Sequence, residues 1–561
     1  MKIAVSELIV RFMERLGIDH IFGMPGAHIL PVYDSLYDSN IKSVLAKHEQ
    51  GASFMAGGYV RATGKISACI CTAGPGATNL VTGIANAYVD KQPILVISGE
   101  TSTHIFGKGG LQESSGEGGS IDQDALFKSI TKYSKLIERT DYLGNVLNRI
   151  AKILLSRDSG PVLLSLPYNV QKELVDDSIL DQIKTTNNHQ VHHDDIAATK
   201  DLAKLIQNST APVIVAGYGC IVSAAQAQVE QLSVQMNIPV ASSLKGKGVI
   251  SEQSELSLGS LGVTSFGKAY KYILEKADLI IFLGAGFNER TSYTWNSELL
   301  KNKKIAQIDN NIEQLEKVFK ADVAILGDLK LVLNAVLKQL QEQSIVSKTI
   351  ESLDAHSSPK PRDTSEPDLL QFRSRFPLVE SFFRKLQHHL PQGLMVFDDN
   401  IIFSQNFFHV TPGNRFYPNS GIASLGHAIP AAIGARFAKE LFTEDQVVVA
   451  IIGDGGFQMC CMEIMTAVNY QLPLTIVMFN NSSMGLIRKN QSQQYQERYI
   501  DCDFINPDYE LLSRSFGMNY HKVEVADDLN TLFSQTDFKK SINMIDIAID
   551  KNTFPGYTSK R

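Results

Sequence analysis

Two apolar runs, Val447–Ile452 and Leu474–Phe479, are each long enough for one buried strand, and the stretch between them has room for one helix. That pattern constrains this part of the chain to a strand-helix-strand unit. The first run passes into Gly453-Asp454-Gly455-Gly456, whose glycines let backbone N–H groups approach phosphate oxygens where a side chain would block them. The second run ends by delivering Asn481, 27 positions after Asp454. A carboxylate and an amide oxygen, completed by phosphate, water and a backbone carbonyl, form a donor set suited to magnesium on a diphosphate.

At 561 residues the chain is too long for a single core and divides into three α/β sections. Residues 1–175 alternate helical and strand patterns: helix over Val5–Leu16 and Gln50–Gly64, strands over Ile41–Ala46, Ile66–Thr72, Ile94–Ser98 and Val162–Ser165. A polar stretch containing Lys184–His189 reads as a linker. The second section, 190–342, contains strand patterns at Pro212–Gly217, Leu279–Leu283 and Ile305–Asp309. Residues 347–368, rich in Ser, Pro and charge, read as a second linker, and 370–555 forms the last section. The expected fold class is α/β, with three doubly wound parallel-sheet domains.

The net charge of −6 provides no basic footprint, so nucleic acid and anionic membranes are not expected partners. The six cysteines (Cys69, Cys71, Cys220, Cys460, Cys461, Cys502) have neither zinc spacing nor the density of a secreted disulfide framework. The polar start and the lack of any apolar run long enough to span a bilayer read as a cytoplasmic protein without disulfides.

The GDG segment, followed by a helix, a strand and the Asn480-Asn481 pair, resembles the thiamin-diphosphate (ThDP) fingerprint. Lys47-His48-Glu49-Gln50-Gly51-Ala52 looks like the RHEQGA segment of acetolactate synthases, and Tyr59–Lys65 and Ala73–Asn79 follow in that family's order. The resemblance, to ThDP enzymes of the acetolactate synthase and pyruvate decarboxylase type and nearest to acetolactate synthase large subunits, covers essentially the whole chain. It implies a pyrimidine-binding domain first, a Rossmann-like middle domain, and a diphosphate- and Mg2+-binding domain last. Asp454, Asn481 and the backbone oxygen of Ser483 would ligate the metal. Glu49 would be the catalytic carboxylate at the aminopyrimidine, and Gln112 in Gly110-Leu111-Gln112-Glu113 would face the second substrate. Cofactor contacts would come from Pro25, Glu49, Asn79, Ala423, Leu425, Asp454, Gly455, Gly456, Asn481, Ser483, Met484 and Gly485. Leu425 would be the wedge beneath the bend between the cofactor rings, with the Ala423 backbone oxygen near the pyrimidine amino group.

Six features depart from the family pattern or leave a choice. Leu425 stands where acetolactate synthases usually have methionine, and Asn490 where the biosynthetic enzymes have tryptophan, so acceptor preference stays open. Arg488 or Lys489 is a candidate to hold a substrate carboxylate, and His28 reads either as an acid/base or as a surface loop histidine. The stretch Gly107–Gly119 lacks a packing pattern and reads as ordering on ligand binding. The turns Gly217-Tyr218-Gly219 and Gly284–Arg290 are compatible with FAD, another adenine nucleotide or an empty site. The function expected is decarboxylation of a 2-oxo acid, pyruvate first among them, with carboligation to a second carbonyl compound. The alternatives are a non-oxidative decarboxylase or aldehyde lyase, and a non-catalytic regulatory subunit. A homodimer or homotetramer is expected, and a small regulatory subunit stays open as a further partner.

Overall fold

The computed structural model describes residues 1–184, 196–265, 267–342, 367–438 and 446–556. The expected linkers Lys184–His189 and 347–368 fall almost wholly outside those residues, although Pro367–Arg375 is a helix. Three six-stranded sheets account for the three α/β sections, and every neighbouring pair of strands in them is parallel.

The first sheet runs Lys42–Leu45, His20–Gly23, Ser67–Cys71, Ile94–Glu100, Val162–Pro167, Tyr133–Leu136 across its width. The third runs Arg415–Pro418, Leu394–Asp398, Val447–Gly453, Leu474–Asn480, Ile542–Ala548, Asn519–Val523. Numbered within each domain, both have the order 2-1-3-4-6-5. The middle sheet, from Ser257–Ser260 through Pro212–Ala216 to Val323–Leu326, instead has the order 3-2-1-4-5-6 of dinucleotide folds. The central strands are mostly apolar and buried along nearly their whole length because helices cover both faces of each sheet.

In the first and third domains the helix after the second strand plays an equivalent part. These two helices, Glu49–Thr63 and Ala428–Arg436, pack directly on each other. Their contact is reciprocal: a Cβ on Gly58 would lie 1.9 Å from the Ala431 carbonyl oxygen, and one on Gly434 would lie 1.9 Å from that of Met55. Small side chains at Ala52, Ala56, Ala431 and Ala435 permit the same approach along the rest of the seam. One apolar core therefore passes unbroken from Phe22, Met55 and Tyr59 through Ala431 and Phe437 to Val448 and Met478.

Polar groups close the junction. Asp90, 2% exposed, pairs with Arg61 of its own domain and Lys245 of the middle domain. Arg61 also donates to the Pro418 carbonyl at 2.9 Å, and Arg415 to that of Ala62 at 3.1 Å. All three domains thus meet at one buried ionic group, and burial without these partners would strongly disfavour its charges.

Gly58→Ala and Gly434→Ala are each expected to destabilise the chain by about 3 kcal/mol, the upper end for overpacking, because the obstacle is backbone. Urea denaturation checks this. A loss below about 1 kcal/mol in both variants would mean that the helices separate freely.

Candidate active site

The strands Val447–Gly453 and Leu474–Asn480 are neighbours, with Gly453 opposite Phe479. The residues that follow them, Asp454 and Asn481, therefore emerge side by side at the carboxyl edge of the sheet, where open α/β sheets bind ligands. Asp454 is 1% exposed. Its Oδ2 accepts from the backbone N–H of Ser482 at 2.6 Å and of Asn481 at 3.2 Å, and from Asn506 Nδ2 at 2.9 Å; its Oδ1 accepts from Gly455 N–H at 3.0 Å. Asn481 Oδ1 accepts from Ser483 N–H at 3.1 Å. Gly455 and Gly485 lie against their neighbours: a Cβ on either would come within 2.7 Å of Met484 Sδ or Asn481 Nδ2 respectively, so that side chain would have to shift. Asp454, Gly455, Asn481, Ser483, Met484 and Gly485 are thus one cluster.

Burial pushes the Asp454 carboxyl above its ordinary value, and the groups opposing this are hydrogen bonds from Asn506, Ser482, Asn481 and Gly455. A divalent cation would supply the missing positive charge. The donors at this cluster, the Asp454 carboxylate and the Asn481 side-chain oxygen, are hard oxygens. The residues present therefore fit magnesium. Asn506 was not anticipated: it lies 52 residues beyond Asp454 and also bonds Asn480 Oδ1 and Ser482 Oγ.

The carboxyl edge of the first sheet carries the second cluster. Glu49, 9% exposed, opens its helix after the edge strand Lys42–Leu45 and accepts from Asn79 Nδ2 at 3.0 Å. A Cβ on Gly76 would lie 3.5 Å from Glu49 Oε1 and 3.0 Å from Thr72 Cγ2, so Thr72 borders the same crevice. Thr72 Oγ1 donates to Gln112 Oε1 at 3.1 Å, and His28 Nδ1 lies 3.3 Å from that oxygen. Because Gln112 Oε1 is an acceptor, the contact places a proton on His28 Nδ1. Gln112 adopts a left-handed φ of 55° beside Gly74. Pro25 is exposed at the rim, and Gly26 packs against Thr72. The crevice thus joins His28, Thr72, Gln112, Glu49 and Asn79.

Leu425 is half-buried and lines a cavity of about 90 Å³ with His48, Gly51, Phe54, Met459 and Glu463. Ala423, two residues earlier, has a φ of 55°, a conformation costly for a residue with a Cβ and one that clusters at functional sites. The loop is pinned by Asp399, whose carboxylate accepts from the backbone N–H of Gly426, His427 and Ala428 at 2.8, 2.9 and 3.1 Å. A Cβ on Gly456 would lie 2.5 Å from Asp399 Oδ2, which ties this carboxylate to the GDG turn as well. Burial pushes Asp399 up to about 7, against those three N–H groups. His427 is buried and driven down to about 3 by loss of solvent, so it is neutral at ordinary pH.

The structure bears on three further segments. Within Gly107–Gly119 the Glu113 carboxylate accepts from the N–H groups of Gly107, Gly109 and Gly110 and from Ser115 Oγ. Arg488 is committed to Asp503 at 2.6 Å and Asn552 at 2.9 Å, stacks over Tyr499 and is 7% exposed. Lys489 is fully buried and lowered to about 8 by desolvation, so the reading of these two residues as solvated surface bases is corrected. In the middle domain, Gly217 and Gly219 N–H groups bond the Leu283 and Gly284 carbonyls at 2.8 and 3.0 Å. These two amides serve loop-to-loop packing.

Family models agree with this architecture. The chain matches the thiamine pyrophosphate enzyme N-terminal TPP binding domain over residues 3–120, the central domain over 199–336 and the C-terminal TPP binding domain over 400–547. It is 31% identical to a probable acetolactate synthase large subunit of Methanococcus aeolicus, covering 98% of this chain and 92% of that protein. It is 29% identical to the acetolactate synthase isozyme 2 large subunit of Escherichia coli (98% and 96%) and 31% identical to the acetolactate synthase large subunit of Lactococcus lactis (94% and 90%). The chain belongs to the thiamine pyrophosphate enzyme family and is a ThDP-dependent enzyme of the acetolactate synthase type.

Asp399 generates a signed pH prediction. Its folded value of about 7 lies above the ordinary 3.8, so between these the folded state holds the extra proton. Its stabilising contribution is complete below the lower value and is lost as pH rises through the higher one. The stability of the native chain relative to Asp399→Asn should therefore fall across that window and level off above it. Urea midpoints of both proteins along a pH series check this, and a difference independent of pH would refute the raised value.

Proposed function

We propose that this enzyme decarboxylates a 2-oxo acid, pyruvate being the simplest, and joins the remaining fragment to a second carbonyl compound, using ThDP and Mg2+. The observation carrying the reading is the convergence of the Asp454 carboxylate, the Asn481 side-chain oxygen and Ser483 at two adjacent strand ends. Asp454, Asn481 and the backbone oxygen of Ser483 would hold the metal, with Gly456, Met484 and Gly485 around the diphosphate. Bound ThDP would supply the sink for the electron pair left when CO2 departs. Glu49 would hold a proton at the pyrimidine ring nitrogen, and its burial beside Asn79 limits competition from water. Gln112, fixed by Thr72, would orient the acceptor carbonyl.

His28 favours a second reading. His28, held through Nδ1 against Gln112, would in its protonated form deliver the Nε2 proton to the fragment left after CO2 loss, which would make the enzyme a simple decarboxylase. Neither reading routes a step through a flavin. Incubation with pyruvate, ThDP and Mg2+ followed by product analysis separates them: the first expects acetolactate, the second acetaldehyde. Absence of both products would exclude pyruvate as the donor.

One cofactor must meet both Glu49 and Asp454, yet the hydrogen-bond partners of each carboxylate lie within its own domain. Met459 and Met462, 58% and 57% exposed at the mouth of the cavity lined by Leu425, present an apolar rim for a second copy to cover. The active unit in this reading is a two-fold dimer whose sites each draw Glu49 from one copy and Asp454 from the other. Glu49→Gln is expected to bind ThDP without turnover, and Asp454→Ala to lose Mg2+-dependent ThDP binding in calorimetry. Mixing the two inactive chains should restore activity, because half of the sites in each heterodimer carry neither lesion. A mixture that exchanges subunits by mass spectrometry yet stays inactive would place the site within one chain.

A further inference from the structure

The strand Lys42–Leu45 is the edge of the first sheet, and its outer side meets side chains of the third domain instead of another strand. Tyr470 OH accepts from Leu45 N–H at 2.9 Å and donates to the Ser43 carbonyl at 3.3 Å. Thr466 Oγ1 lies 3.4 Å from the Leu45 carbonyl. At the end of this row is Glu463, 3% exposed. Its Oε1 accepts from His48 N–H at 2.8 Å and Lys47 N–H at 3.0 Å, while its Oε2 takes Thr466 Oγ1 at 3.0 Å.

Those two amides immediately precede Glu49, the first residue of its helix. His48, the N-cap, turns its own side chain to Gln50 N–H, leaving its backbone N–H to Glu463. Gly51 is also explained: a Cβ there would lie 2.2 Å from Glu463 Oε1. A negative charge at this end also suits the helix dipole. Edge-strand satisfaction alone would be met by Tyr470 and Thr466. Glu463 instead grips the two peptide units that fix where the Glu49 helix starts.

We propose that Glu463 is a positioning residue for Glu49, setting the start of the Glu49–Thr63 helix and hence the reach of the relay carboxylate. The inference rests on the assignment of Glu49 as the relay. It also gives the GDG segment a second task. Asp454 opens the helix Asp454–Cys460, which runs directly into the turn Cys461–Glu463, so one short helical run starts at a metal ligand and ends at this grip. In a dimer with composite sites, that run connects the metal of one site to the relay of the other.

The test uses the full-length protein and two readouts. Without cofactor, hydrogen–deuterium exchange by mass spectrometry follows the peptide covering Leu45 to Ala52. With ThDP and Mg2+, quenched-flow NMR follows exchange of the thiazolium C2 proton per bound cofactor. Glu463→Gln, which gives up one acceptor oxygen, and Glu463→Asp, which withdraws the carboxylate by one methylene, should both speed amide exchange. Both should slow C2 exchange about tenfold, the scale of one charged hydrogen bond. Amide exchange that speeds up while C2 exchange per bound cofactor stays native would overturn the inference and leave Glu463 a merely structural edge clasp. Native values for both readouts overturn it as well. Glu49→Gln is the reference: if its C2 exchange equals that of the native protein, the relay assignment fails, and the positioning role with it.

Discussion

The arrangement depends on two helices lying at backbone contact distance. Gly58 against Ala431 and Gly434 against Met55 leave no side-chain layer between the Glu49–Thr63 and Ala428–Arg436 helices. Close-packed interiors do not deform smoothly, so a contact of this kind fixes how the two domains are placed. Everything catalytic in the reading hangs from that seam. Glu49 begins one of the helices, and Leu425 precedes the other by three residues.

Buried charge is managed by the same logic of sharing across domains. Asp90 takes one cation from its own domain and one from the middle domain, and the Arg61 beside it reaches the third domain. Glu463 spends its carboxylate on amides of another domain, and Asp399 caps the loop that carries Leu425. Each carboxylate is desolvated and each is matched by several donors, the condition under which buried charge specifies an arrangement instead of disrupting it. The third domain thus supplies more than the proposed metal ligands. It holds the segment from which Glu49 projects.

Local patterns were legible in the sequence because their chemistry is contiguous. Asp454 and Asn481 each end an apolar run, and the runs read correctly as strands, Val447–Gly453 and Leu474–Asn480 in the structure. Glu49 lies one residue before the helix expected from Gln50 and is the first residue of the helix found. Asn506, Asp399 and Glu463 were not legible, since each acts on a partner far along the chain and none lies in a repeating pattern. Gly107–Gly119 looked unstructured because its organiser is one carboxylate bonding successive amides, which no periodicity reveals. Arg488 looked available because its partners Asp503 and Asn552 lie 15 and 64 residues away. The glycines at Gly217 and Gly284 look the same in sequence whether they admit a phosphate or another backbone, and here they admit each other.

The seam at Gly58 and Ala431 also has a history within each molecule's synthesis. Its halves are separated by about 370 residues, which at roughly 5–20 residues per second is tens of seconds of translation. Throughout that interval the helix carrying Glu49 has been made, but the surface that covers its Gly and Ala face has not. The edge strand Lys42–Leu45 waits as long for Tyr470 and Glu463, with its outer amides and carbonyls open to pairing with any other chain. The nascent polypeptide, more than the finished enzyme, is the state in which this edge is exposed to aggregation, for a time set by the order in which the ribosome delivers the two ends of one contact.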